Sequence, residues 1–204
     1  MHLPDILVRI IDEPSLHSKW LNTLSFMENA GAKKISACEH PEFVDIIVLK
    51  HAAEEHRHAY YLKKQISKIE GYACPTYTLV ELIAPNQTRH YLNSLDIAAC
   101  RYLKEVFQLT GAELKYAAYL FVTYAIEVRA DVLYPIYQQA LSEAQSRVTV
   151  KSIILEEEGH LEEMIAQLER FSEIWQKHAD NIVYMEQKLF NEWIAGIAQE
   201  VLKD

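Results

Sequence analysis

Four glutamates and two histidines in this chain recur at spacings that put them on the inward faces of helices. In "LKHAAEEHRHAYYLKK", residues 49–64, Glu55 and His58 stand three apart, so in a helix they lie about one turn apart on one side. At about 100° per residue, Val48, His51, Ala52, Leu62 and Ile66 share their sector, whereas Glu54, His56 and Arg57 fall outside it and read as solvated. "IILEEEGHLEEMI" repeats the arrangement: Glu157 and His160 face the same way as Ile153, Met164 and Leu168, while Glu156, Glu158, Glu162 and Glu163 do not. Burying unpaired charge costs several kcal/mol. Two such pairs on two apolar stripes therefore call for a common cation, and two metal ions bound by carboxylate oxygen and imidazole nitrogen would supply it.

Two further carboxylates complete the set. Glu28 shares its face with His17, Leu21, Leu24, Gly31, Ala32 and Ile35, and Glu127 shares its face with Leu120, Thr123, Tyr124, Ala130, Asp131 and Tyr134. Antiparallel neighbours bring two residues level when the turn lies midway between them. The midpoint of Glu28 and Glu55 falls in the break "CEHPEF", and that of Glu127 and Glu157 falls at Ser142, where a helix should end. Four carboxylates balance two divalent ions, and two imidazoles leave coordination positions open.

The elements that must carry these residues are helices. Five glycines and six prolines in 204 residues leave little room for the frequent turns of an all-β fold, and strong helix formers abound. The expectation is an all-α chain forming a single domain over residues 1–204. Punctuation places core helices at about 15–37, 41–69, 112–144 and 147–176, with Pro41 in the first turn of the second. Extra helices are expected at about 91–109, capped by Asn93 or Ser94, and at 181–202, capped by Asp180; 77–88 is weakly determined. Pro135 should kink the third core helix.

Composition excludes several partners. Acidic residues outnumber basic ones 29 to 20, a net charge of −9, which argues against nucleic acid held through phosphates. Cys38, Cys74 and Cys100 are odd in number and contain no Cys-x-x-Cys pair, so neither a disulfide framework nor a thiolate metal site is expected. No window reaches the roughly 18 apolar residues of a membrane span, and the N-terminus lacks a basic stretch before an apolar run. A cytoplasmic protein without membrane or nucleic-acid partners is expected.

On Glu28, Glu55-x-x-His58, Glu127 and Glu157-x-x-His160 the chain resembles the ferritin-like di-iron or di-manganese carboxylate superfamily, in which two helices give one Glu each and two give Glu-x-x-His. The resemblance covers about residues 15–72 and 112–175. It implies a four-helix bundle with a long crossover holding an extra helix, an appended C-terminal helix, and two iron ions, with manganese as the other metal of the family. It also implies chemistry with dioxygen or peroxide. The favoured expectation is an oxidoreductase acting on a small organic substrate. The alternatives are a ferroxidase or peroxide scavenger and a non-enzymatic module clamped by metal. No rubredoxin-like segment is present, so electrons would come from a separate donor protein or from the substrate. The appended helices would shape a pocket, or serve packing or a homodimer contact.

Around the six ligands, Glu54 and Asp131 are candidates to hold the ligating imidazoles, and His51 is either a neighbour of the site or a core histidine. Thr123 and Tyr124, with Asp131, are the candidates for the pocket wall. Tyr116 and Tyr134 point the same way as Tyr124. Gly31 and Gly159, costly inside helices by roughly 1 kcal/mol each, suggest close helix approach or a local irregularity beside the metals.

Overall fold

The computed structural model describes residues 2–40 and 42–202, with the side chain of Glu158 excepted; Pro41, expected in the first turn of a helix, lies outside the described residues. Among the described residues seven α-helices form: α1 (Leu3–Asp12), α2 (Pro14–Ser36), α3 (Ile46–Ile66), α4 (Pro85–Phe107), α5 (Gly111–Glu143), α6 (Lys151–Phe171) and α7 (Trp175–Val201), with one 3₁₀ turn at Leu79–Glu81. The described residues contain no strand.

Helix ends follow local capping. Asp45 accepts hydrogen bonds from the amides of Ile47 (2.9 Å) and Val48 (3.4 Å), so α3 starts at Ile46 rather than near 41. α4 begins at Pro85, not 91. Proline suits the first helical position, and Ala84 turns into it with φ +42°; Asn93 and Ser94 lie inside the helix instead of capping it. α6 opens at Lys151, later than expected, because Gln138 Oε1 accepts from the Val150 amide at 2.8 Å and Gln65 Oε1 from the Thr149 amide at 3.1 Å, tying down the preceding segment. α7 starts at Trp175, with Asp180 inside it. The ten-residue α1, with Pro4 in its first turn, escaped the sequence pattern; its apolar residues Ile6, Leu7 and Ile10 are fully buried. α5 continues through Pro135 without a break in assignment.

Contacts show three antiparallel pairs. Ser25 Oγ donates to the Ala59 carbonyl at 2.7 Å while Gly31 lies against Glu55, so positions rise on α2 as they fall on α3. Tyr116 meets Gln167 and Gln138 meets Val150 between α5 and α6. Thr88 meets Trp193 and Tyr102 meets His178 between α4 and α7. α1 packs on α2, α5 and α7.

The apolar core comes in two clusters. One gathers Leu24, Leu62, Leu133 and Ile153 with the stacked indoles of Trp20 and Trp193, centroids 5.7 Å apart. The other gathers Ile35, Ala52, Leu120 and Leu168. On each of α2, α3, α5 and α6 the glutamates Glu28, Glu55, Glu127 and Glu157 lie in sequence between the residues given to one cluster and those given to the other. A polar layer thus separates two apolar halves. Among the described residues no helix is long and apolar enough to cross a membrane.

Candidate metal centre

The polar layer is built from four helices. α2 brings Glu28, α3 brings Glu55 and His58, α5 brings Glu127, and α6 brings Glu157 and His160. Glu55, His58, Glu127, Glu157 and His160 are buried and Glu28 is half-buried. Glu28, Glu55 and His58 offer one ligand atom each within 4.8 Å of one another, and so do Glu55, Glu157 and His160. Glu55 belongs to both groups. Glu127 Oε1 is 3.8 Å from His160 Nδ1, on the side of the second group.

Both imidazoles are oriented by carboxylates from the opposite helix. His58 of α3 donates Nε2–H to Glu156 of α6, and His160 of α6 donates Nε2–H to Glu54 of α3, each at 2.8 Å. These bonds put the proton on Nε2 and turn Nδ1 toward the layer. Arg57, half-exposed, spans the outside of this cross-brace, reaching Glu156 at 2.7 Å and Glu54 at 3.4 Å. The sequence pattern named Glu54 but not Glu156 or Arg57. The available signal was the doubled glutamate at the head of both motifs.

The donor set fits a metal ion. His58 Nδ1 is buried with no hydrogen-bond partner, although Glu157 Oε1 lies 3.1 Å away. With the proton on Nε2, an imidazole lone pair there faces a carboxylate, an arrangement that needs a cation or a second proton between them. Without metal, protons do this work. Burial, with Glu28 beside it, pushes Glu55 well above the usual carboxylate range, and burial with Glu157 does the same to Glu127. Burial also raises Glu157, but hydrogen bonds from Glu127, from His160 and from His58 once its Nδ1 takes up a proton outweigh it and hold this carboxylate well below its ordinary value. Burial alone would lower His58; Glu157, Glu28 and Glu156 overcome it and lift the imidazole to about 9. Glutamates and histidines of this kind, clustered in the interior, could hold a metal ion.

The surrounding residues divide cleanly. Tyr134 hydrogen-bonds Glu28 Oε1. Thr123 lines a cavity of about 290 Å³ that also touches Glu28, Glu55 and Glu127. Tyr124 is not among its lining residues; its ring packs edge-on against Trp175, centroids 5.7 Å apart. Asp131 is exposed, away from the cavity wall. Tyr116 is at the surface, 3.4 Å from Gln167. Both nitrogens of His51 are engaged, Nδ1 with the Tyr119 hydroxyl at 2.8 Å and Nε2 with Glu163 at 3.0 Å, which makes it a neighbour of the site with no lone pair to offer. A Cβ on Gly31 would make ordinary contact with Glu55 Oε2 at 3.8 Å, and one on Gly159 would meet open space. Close approach therefore does not explain Gly159.

Comparison with family models, with curated proteins and with solved structures found no match to this chain.

Proposed function

We propose that α2, α3, α5 and α6 form a ferritin-like four-helix bundle holding two iron or manganese ions, and that the protein is an oxidoreductase acting with dioxygen or peroxide on an organic molecule. Glu28, Glu55 and His58 would hold one ion and Glu55, Glu157, His160 and Glu127 the other. The ions would supply the redox equivalents and open coordination positions for the oxidant.

The protein's own groups have defined parts. Glu54 and Glu156 fix both imidazoles with Nδ1 inward, and Tyr134 orients Glu28. The buried Tyr119 hydroxyl, bonded to His51 Nδ1, links the cavity wall through the imidazole to Glu163, which is partly exposed. That chain gives a route for a proton between surface and cavity. The apolar walls around Leu95, Val122 and Ile126 exclude water from the space beside the carboxylates.

The observation that carries the organic-substrate reading is the cavity itself. A protein handling only metal, peroxide and oxygen has no need of about 290 Å³ of mainly apolar space next to its carboxylates. Iron-loaded protein should consume dioxygen or peroxide, and Glu157→Ala should abolish this. Thr123→Val and Leu95→Trp, which alter the cavity without removing a ligand, should keep the metal but change turnover. Unchanged consumption in both would reject the organic substrate and favour iron handling.

A further inference from the structure

The cavity has a direction. Glu28 on α2 and Glu127 on α5 line its interior, and Ile35 near the end of α2, Cys38 just beyond it and Lys115 on α5 line it further along. At about 1.5 Å per residue Glu28 and Ile35 lie roughly 10 Å apart on α2, and Glu127 and Lys115 roughly 18 Å apart on α5. Between them the wall is apolar, formed by Ile35, Leu95, Ala118 and Val122. Glu55 and Glu127 are 8% and 3% exposed. At the other end Lys115 is exposed, and the side chains of Lys34 and Asp96 are 39% and 33% exposed. The space is thus a slot with a charged mouth and carboxylates in its buried part, where the wall continues past them to Leu24, Leu133 and Trp193.

The mouth carries a surplus of positive charge. Lys34 is committed to an ion pair with Asp96 and also donates to the Leu92 carbonyl at 3.1 Å. Lys115 has no ion pair among the described residues. Its ammonium acts on the neighbouring Cys38 thiol, whose sulfur sits 3.7 Å from the Lys115 carbonyl. A molecule filling the slot must bury an apolar chain along its wall and keep a polar group at the mouth. The cation there selects a negative one, which also stays far from the interior glutamates.

We infer that the slot binds a straight-chain carboxylate, its head group on Lys115 and its chain running inward past Ala118 and Val122 to Glu28, Glu55 and Glu127. As a substrate assignment this rests on the oxidising reading of the site; as a ligand assignment it rests on the slot alone. If both hold, a chain carbon rather than the head group is presented to the metal ligands.

Calorimetric titration of the metal-free full chain with octanoate, decanoate and dodecanoate, and with the corresponding primary alcohols, tests this. The expected result is saturable binding of one carboxylate per chain that tightens with chain length, with the alcohols weaker by roughly tenfold. Lys115→Gln should weaken the carboxylates by a similar factor and leave the alcohols unchanged. Ala118→Trp should abolish binding of both; Val122→Phe, a smaller change, should do the same if the first variant fails to fold. Absence of binding, equal affinity for acid and alcohol, or binding that survives Val122→Phe would overturn the assignment. Metal uptake by the same preparations separates the two claims. Carboxylate binding without metal uptake would uphold the ligand and reject the oxidising centre, and metal uptake without carboxylate binding would do the reverse.

Discussion

Two regions of this molecule bury charge, and they solve the problem in opposite ways. Between α5 and α7, Arg129 grips Glu186 with two bonds, Nε to Oε1 at 2.9 Å and an Nη to Oε2 at 2.7 Å, while the Tyr91 hydroxyl donates to Oε1 at 2.7 Å and Phe190 covers the guanidinium at 4.0 Å. The carboxylate is 1% exposed and fully compensated by the protein itself. In the layer between the two core clusters, four carboxylates meet two imidazoles, and Arg57, the nearby guanidinium, stays outside the cross-brace. The difference separates a structural ion pair from a ligand set: one supplies its own counter-ion, and the other leaves that place to protons or metal.

The two regions should therefore respond differently to removal of one partner. Arg129→Met leaves Glu186 buried without its cation, so stability should fall by about 3–5 kcal/mol, read by urea denaturation, with metal content per folded chain unchanged. Glu157→Ala should abolish metal binding, and the metal-free form should lose stability as well, because Glu127, His58 and His160 lose the carboxylate that accepts from them. Loss of metal in both variants, or in neither, would erase the distinction.

Acidity sharpens the comparison. Glu55 and Glu127 are raised well above 4.5 in the folded protein, His58 is raised from 6.5 to about 9, and His160 is raised too. The metal-free folded state thus holds protons that the unfolded chain releases, and that stability, present at low pH, is lost as pH rises through the folded values. Melting of the metal-free protein should fall between about pH 7 and about 9, above the range in which the burial-lowered imidazoles of His17, His51 and His178 act in the opposite sense, at up to roughly 1.4 kcal/mol per pH unit for each proton. Metal displaces the same protons, so affinity for it should rise over that window. A metal-free melting temperature that climbs across it would contradict this account of the layer.

The smallest effect concerns the cross-brace. Glu54→Gln or Glu156→Gln keeps the shape but weakens the grip on one imidazole, and metal affinity should drop by about 10-fold. An unchanged affinity in both would make these glutamates surface partners of Arg57 and nothing more.

What was legible in the sequence follows the same division. Glu55, His58, Glu157 and His160 could be found because helical period alone decides which side chains share a face with Ala52, Leu62, Ile153 and Leu168. Glu28 and Glu127 followed from the level of antiparallel neighbours. Glu156 could not be found that way, since it lies off the inward sector and reaches His58 on another helix, a relation set by how the two helices sit side by side. Arg129 and Glu186 are likewise 57 residues apart, and nothing in either local pattern announces the other. Helix starts were misplaced where a single cap decides them, as at Asp45 and Pro85. Tyr124 lies within the sector of Glu127 yet turns to Trp175, a residue of the helix start that the pattern placed six residues late. Periodicity gives the face of a helix but not which neighbour covers it.

The most direct test is a titration of the metal-free chain with ferrous or manganous ion, with stoichiometry and released protons measured together. Two ions should bind per chain with release of protons, and both binding and release should be lost in Glu157→Ala and His160→Ala. Binding of no ion, or unchanged stoichiometry in both variants, would contradict it.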